Sequence, residues 1–147
     1  MKPYLDLGFL LVLLVKNKSS PLAWELAHRF DAPLPINALH QLHVENALNC
    51  QLYESKLRLQ KAAREGLIEW RNKLAEAVFV LNVPEWEMAI RQAVIWNSQL
   101  PGRPPHSPFL LHAALAATGS TTHFLSFDPR TRSLAQNAGT KLLPENL

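Results

Sequence analysis

The chain has 147 residues, 48% of them hydrophobic, a single cysteine, and a formal net charge of +3 at pH 7. A chain of this size buries about two-thirds of its unfolded surface, so one domain covering residues 1–147 is predicted without a disulfide or metal staple. The lone Cys50 excludes an intramolecular disulfide and favours a reducing cytoplasm. The mild basic excess permits a polyanionic partner without requiring one.

The apolar run near the amino terminus, YLDLGFLLVLLV, predicts core structure rather than a leader or a membrane span. It contains Asp6 and has about half the length that a spanning helix requires. Tyr4 to Asp6 is predicted as a short strand, and the residues after it as a helix. We therefore expect no membrane partner.

Helix-like and strand-like segments then alternate along the first half of the chain. SSPLAWELAHRF predicts a helix that opens with a serine cap and Pro21, and APLPIN predicts a short extended piece. A helix is predicted from Ala38 to about Glu54, and a second helix or broken pair of helices from there to about Ala77. The β-branched run VFVLNV predicts a buried strand.

The second half continues the alternation. PEWEMAIRQAVIWNSQL predicts a helix, and SPFLLHAALAATG predicts another in which Ser107 is the cap and Pro108 the first helical residue. THFLSFD predicts a strand, PRTRSLAQNAG a helix that stops at Gly139, and TKLLP a last strand. This order is typical of an α/β layer fold with a mostly parallel sheet.

Two of the predicted strands end on an acid. Asp6 and Asp128 would lie at the carboxyl edge of a parallel sheet, where two carboxylates could hold Mg²⁺ or Mn²⁺. Each acid has an alternative role as the N-cap of the helix that follows it, and Pro129 after Asp128 is typical of that role.

The segment from Lys56 to Lys73 is rich in basic side chains, which predicts either a solvated helix face or a surface that contacts RNA. The histidines match no zinc-ligand spacing. His112 is predicted to be a hydrogen-bonded histidine of the core or the crevice.

Three stretches carry a resemblance to the PIN-domain family. YLDLGFLLVLL resembles its opening strand and helix, LHQLHVENAL resembles its glutamate-bearing helix, and HSPFLLHAALAATGSTTHFLSFDPRTRSLAQNAGTKLLP is similar to its carboxy-terminal block. The closest subgroup is the VapC-type toxins of bacterial toxin–antitoxin modules. The resemblance implies a three-layer α/β/α fold with a five-stranded parallel sheet flanked by helices. It also implies a cytoplasmic, Mg²⁺- or Mn²⁺-dependent endoribonuclease, with RNA, an antitoxin-like protein and a second copy of the chain as partners.

Carried over residue by residue, the resemblance matches two of the four acids of the family. Asp6 and Asp128 match and are the expected metal ligands and catalytic acids, whereas His43 stands in place of a glutamate and Phe109 in place of an aspartate. His43 is the third candidate catalytic residue. Glu45 lies two residues beyond it, about 200° around a helix, so it cannot simply replace the missing glutamate.

Three hypotheses follow, of which the third is an unrelated α/β protein whose Asp6 and Asp128 are only helix caps. The first is a divergent VapC-type endoribonuclease with a degraded acidic site that still uses Mg²⁺ or Mn²⁺. The second is a catalytically inactive pseudo-nuclease that binds RNA or an antitoxin-like protein, or dimerises, and needs no cofactor.

Overall fold

The computed structural model describes residues 1–31 and 33–146 as a mixed α/β fold. Helices and strands alternate as the sequence predicts, which confirms the α/β class. No helix within these residues combines the length and apolar character needed to cross a bilayer. The elements in chain order are β1 (Pro3–Leu5), α1 (Leu7–Leu14), α2 (Ser20–Ala27), β2 (Leu34–Ile36), α3 (Ala38–Gln51), α4 (Leu57–Ala75), β3 (Phe79–Leu81), α5 (Trp86–Gln99), α6 (Ser107–Thr118), β4 (His123–Leu125), α7 (Pro129–Asn137) and β5 (Lys141–Leu143).

The chain divides into two compact units, of which the first joins residues 1–8 to residues 83–147. Its sheet has the order β1-β4-β5, and both pairings are parallel. Tyr4 lies opposite Phe124, and Phe124 lies opposite Leu142. The sheet is therefore built from the two ends of the chain.

The second unit comprises residues 9–82 and contains the parallel pair β2-β3. Phe79 of β3 is buried, with its ring centroid 5.5 Å from that of Trp70 on α4. Val80 and Leu81 are 41% and 54% exposed. The prediction of a buried strand is therefore wrong for Val80 and Leu81, because only Phe79 is buried in the core.

The described strands form a three-stranded sheet and a two-stranded sheet. The pairings among the described residues do not include the single five-stranded sheet that the resemblance implies: β1, β4 and β5 pair in one unit, and β2 and β3 pair in the other.

Local chemistry explains how several helices begin and end. The side chain of Asn37 accepts from the amides of Leu39 and His40, and His40 Nδ1 accepts from the Asn37 amide, so α3 begins with a capping box. Gly139 has φ of 88° just after α7, a conformation that favours glycine. The prediction that Ser107 caps α6 is wrong: His106 precedes the helix in an extended conformation, and Ser107 is its first residue.

Candidate functional site

Asp6 follows β1 and is almost completely buried, with 1% of its surface exposed. Its amide donates to the carbonyl of Leu125, which continues the β1-β4 ladder by one residue and fixes the backbone. The carboxylate is therefore placed by the sheet itself. Because a buried carboxylate is costly without hydrogen bonds, its partners decide what it can do.

Two hydroxyl groups contact one oxygen of this carboxylate. The Ser126 hydroxyl donates to Asp6 Oδ2 in a short hydrogen bond, and Thr131 Oγ1 lies 3.5 Å from the same oxygen. The two hydroxyl oxygens are 3.1 Å apart. Both hydroxyls are buried, so Asp6 Oδ2 lies in a polar cluster inside the protein.

Asp128 reaches the same cluster through its backbone. Its amide donates to Ser126 Oγ at 3.0 Å, and its carbonyl accepts from Thr131 Oγ1 at 3.1 Å. Ser126 and Thr131 thus each contact both the Asp6 carboxylate and the Asp128 backbone. The sequence reasoning missed Ser126 and Thr131, although their positions two residues before and three residues after Asp128 were a usable signal.

The Asp128 carboxylate has other partners. Its Oδ1 accepts from the Arg130 amide at 2.9 Å, so Asp128 is the N-cap of α7, followed by Pro129. The Arg130 guanidinium contacts both carboxylate oxygens, with Nε 3.4 Å from Oδ1 and a terminal nitrogen 3.3 Å from Oδ2. The predicted capping role of Asp128 is therefore confirmed, and the carboxylate is also neutralised by a cation.

A second arginine contacts the backbone next to this cluster. Arg132 is buried and donates to the carbonyl oxygens of Ser126 at 2.9 Å and Pro144 at 2.6 Å. Burial lowers the pKa of its guanidinium from the ordinary value, and the Asp6 carboxylate raises it in part. Arg132 thus places a positive charge near Asp6 while it fixes the backbone around Ser126.

This donor set does not fit a Mg²⁺ or Mn²⁺ site. Magnesium takes oxygen ligands in a near-octahedral shell and depends on carboxylates that are open to the ion. Asp6 is 1% exposed and its Oδ2 accepts from the Ser126 hydroxyl, and both Asp128 oxygens face a guanidinium that would repel a cation. Among residues 1–31 and 33–146, no group of three or more His, Cys, Asp or Glu side chains converges.

Phe109, at the position where the resemblance expects an acid, is the third residue of α6 and is half-buried. One turn later, His112 is fully buried, and its Nδ1 lies 2.8 Å from the hydroxyl of Tyr4 on β1. His112 is therefore a hydrogen-bonded core histidine, as predicted. The phenyl ring of Phe109 can supply no ligand atom.

His43, the third candidate catalytic residue, belongs to residues 9–82 and lies half-buried on α3. Burial lowers the pKa of its imidazole below 6.5. Glu45 has a structural role, because its Oε1 accepts from the indole Nε1 of the buried Trp70 at 3.2 Å and from Gln41 Nε2 at 3.4 Å. Glu45 therefore joins α3 to α4.

The basic segment forms most of α4. Ala63, Gly66 and Trp70 are its buried face, whereas Arg64 and Arg71, seven residues apart, share an exposed face. Other charges on α4 form intrahelical ion pairs, an exposed one between Lys61 and Glu65 and a half-buried one between Lys73 and Glu69. A solvated face and a nucleic-acid contact are both compatible with this arrangement.

Comparison with known proteins adds no relative. No protein-family model matches the chain, and no curated protein matches its sequence.

Proposed function

We propose that this chain is a divergent PIN-like domain, similar to VapC toxins, that binds single-stranded RNA and no longer hydrolyses it efficiently. The observation that carries the proposal is the engagement of both acids by protein donors: Asp6 by Ser126, and Asp128 by Arg130. Metal-dependent hydrolysis needs carboxylates that can hold a cation beside the scissile phosphate. The Asp6 and Asp128 carboxylates are instead bound by a hydroxyl and a guanidinium, so they do not offer a cation site.

Positive surface charge supports RNA as the ligand. The chain has a formal net charge of +3, and Arg64, Arg71 and Arg103 are exposed. Basic side chains that neutralise phosphates supply most of the sequence-independent affinity for nucleic acids. The chemistry retained from the nuclease resemblance is thus phosphate binding rather than phosphate cleavage.

One experiment separates binding from hydrolysis. A fluorescein-labelled oligouridylate is titrated with the protein in the presence of Mn²⁺, with anisotropy reporting binding and gel electrophoresis reporting cleavage. We expect saturable binding that weakens with added salt and leaves the RNA intact. Cleavage by the unmodified chain that disappears in Asp6→Asn, but persists in the matched exposed-residue control Asp31→Asn, would establish the nuclease instead.

Restoring the two missing acids tests the origin of the inactivity. The double variant His43→Glu and Phe109→Asp returns both acidic positions that the resemblance expects. Gain of Mn²⁺-dependent cleavage in the double variant only, with each single variant inactive, would link the loss of hydrolysis to these positions. Equal inactivity of all three variants would instead place the cause in the Arg130 and Ser126 contacts.

A second candidate function, dimerisation, is favoured by the surface of α5. Four large aliphatic side chains on this helix are 45–64% exposed, and we call them the α5 surface: Met88, Ile90, Val94 and Ile95. Helical spacing places Met88 beside Ile95 and Ile90 beside Val94, on the two sides of this helix. Exposed large apolar side chains are typical of a protein interface. The same helix has an exposed ion pair, with Arg91 2.5 Å from Glu87.

This ion pair suits a second copy of the chain. Across a two-fold axis an interface meets itself, so an adjacent acid and base can each face the opposite charge of the partner subunit. We therefore propose a homodimer through the α5 surface, which light scattering at increasing concentration would detect. Val94→Glu should yield monomers and Gln99→Glu, on the same helix, should not. A monomeric unmodified chain would direct attention to an antitoxin-like protein as the partner.

A further inference from the structure

A cleft of about 460 Å³ lies between α7 and the proline-rich loop that precedes α6. All of its lining belongs to the unit that joins residues 1–8 and 83–147. The size falls in the range of small-ligand sites in proteins. Its polar lining consists of side chains that can all donate hydrogen bonds, and we call the site the arginine cleft after two of them: Arg103, Arg130, Ser133 and Asn137.

The charge of the arginine cleft suits an anion. No acidic residue lines it, and Arg103 has no ion pair within residues 1–31 and 33–146. The Arg130 side chain is 57% exposed and holds Asp128 through long contacts of 3.3 and 3.4 Å. A guanidinium has five donors, so Arg130 can bind an anion while it still contacts Asp128.

The polar side chains on α7 share one face of the helix. Ser133 and Asn137 follow Arg130 by three and seven residues, which is the spacing of neighbours along a helix face. A hydroxyl and an amide therefore extend the row of donors beyond the guanidinium. Such a row can contact the oxygens of a phosphate and of an attached sugar.

The remaining lining is apolar. Pro101 and Pro105 come from the loop, Pro129 and Leu134 from α7, and Leu100 lies at the end of α5. Rigid apolar proline rings beside the cationic side chains offer van der Waals contact for a sugar or a base. The combination of donors for an anion and an apolar wall thus matches a nucleotide better than a bare inorganic ion.

We propose that the arginine cleft is a phosphate subsite for one nucleotide of a single-stranded RNA, with Arg103 and Arg130 as its phosphate-binding residues. This inference rests on the proposed function of RNA binding and names the place where a phosphate binds. It also connects the cleft to Asp128, whose carboxylate Arg130 contacts. The negative charge of Asp128 opposes the binding of the phosphate.

The test measures the anisotropy of a fluorescein-labelled oligouridylate with four variants. Arg103→Gln and Arg130→Gln should each weaken binding by about 5- to 10-fold and make the salt dependence shallower. Asp128→Asn keeps a good helix cap, removes the charge beside Arg130, and should tighten binding. The matched control is Arg29→Gln, which removes an exposed guanidinium from another ion pair, with Glu25, and should change binding by less than about 2-fold.

Ligands of increasing complexity identify what the cleft recognises. Uridine monophosphate should displace the labelled RNA in the unmodified protein, whereas uridine without phosphate should not. Competition by polyglutamate equal to that by RNA would point to an acidic protein ligand and overturn the proposal. Circular dichroism spectra confirm that each variant is folded.

The failures of the two proposals are distinguishable. If the unmodified chain binds RNA and both cleft variants bind it equally well, the subsite is overturned while RNA binding stands. If the unmodified chain binds no RNA, the proposed function fails, and titration of uridine monophosphate against the amide resonances of α7 decides the cleft separately. Absence of shifts at Arg130, Ser133 and Asn137 would then overturn the subsite too.

Discussion

The buried carboxylate of Asp6 accepts a hydrogen bond from the hydroxyl of Ser126, which lies 120 residues later in the chain. The same hydroxyl oxygen accepts from the Asp128 amide, so one serine joins the end of β1 to the start of α7. The serine has one proton to donate, and Asp6 receives it. Asp6 and Asp128, the two candidate metal ligands, are therefore linked by hydrogen bonds that stabilise the fold.

Replacing Ser126 with alanine should therefore destabilise the protein. The change leaves Asp6 with one hydroxyl partner fewer in a buried position, at a cost of about 1–3 kcal/mol. The free energy of unfolding, measured by urea titration, reports the loss. Ser133→Ala, an exposed serine on α7, is the control and should change stability by less than about 0.5 kcal/mol. Equal stability of the two variants would contradict a structural role for Ser126.

Two substitutions at Asp128 separate its cap from its charge. Asp128→Ala removes the acceptor for the Arg130 amide and should cost about 1 kcal/mol. Asp128→Asn keeps that acceptor and loses only the exposed ion pair with Arg130, which contributes about 0–1 kcal/mol. Thermal unfolding should thus rank the alanine variant below the asparagine variant. Equal stability of the two variants would contradict the cap, because both variants lack the ion pair and only the alanine variant lacks the acceptor.

Substitutions at Glu45 test whether this residue stabilises the contact between α3 and α4. Glu45→Ala leaves the buried indole nitrogen of Trp70 without its acceptor and should cost about 1–3 kcal/mol, whereas Glu45→Gln retains an acceptor oxygen and should cost less. Denaturant titration measures the free energy of unfolding of both variants, and the decrease should be larger for Glu45→Ala than for Glu45→Gln. RNA binding by the glutamine variant should match that of the unmodified chain.

The lowered pKa of His43 predicts a pH dependence of stability. Burial favours the neutral imidazole, so the unfolded chain binds more protons than the folded chain once the pH falls below about 6.5. The free energy of unfolding should consequently decrease from neutral pH towards the folded-state pKa, below which this contribution is constant. His43→Gln should flatten that decrease. Some slope should remain, because burial and the charge of Lys141 also lower the pKa of His123.

Hydrophobic periodicity and helix signals predicted every element of the described fold, because those patterns are local. Asp128 before Pro129 also disclosed a cap directly from the sequence. The strand pairings are long-range, and no spacing rule states that β1 lies beside β4 rather than β2. The burial of β3 was misjudged because β-branched residues favour strands whether or not both faces are covered.

The candidate site was less predictable for the same reason. Asp6 and Asp128 are visible as acids at the ends of strands, but their partners depend on side-chain geometry. Ser126 and Thr131 belong to residue types that are common near helix starts, so neither stands out as a partner of a residue 120 or 125 positions earlier. Arg130 was similarly hidden, since its contact with Asp128 spans only two residues and resembles ordinary surface charge.

The pairing of β1 with β4 has a consequence for how the chain folds during synthesis. Residues 9–82 form one unit and leave the ribosome early, so they can fold while the remainder is being made. The first strand has no such option, because its partner, His123–Leu125, is translated more than a hundred residues later. Until then Pro3–Leu5 is an exposed apolar edge that must be kept from pairing elsewhere. Translation speed and chaperone access should therefore affect the yield of folded protein more strongly than the stability of the finished fold would suggest.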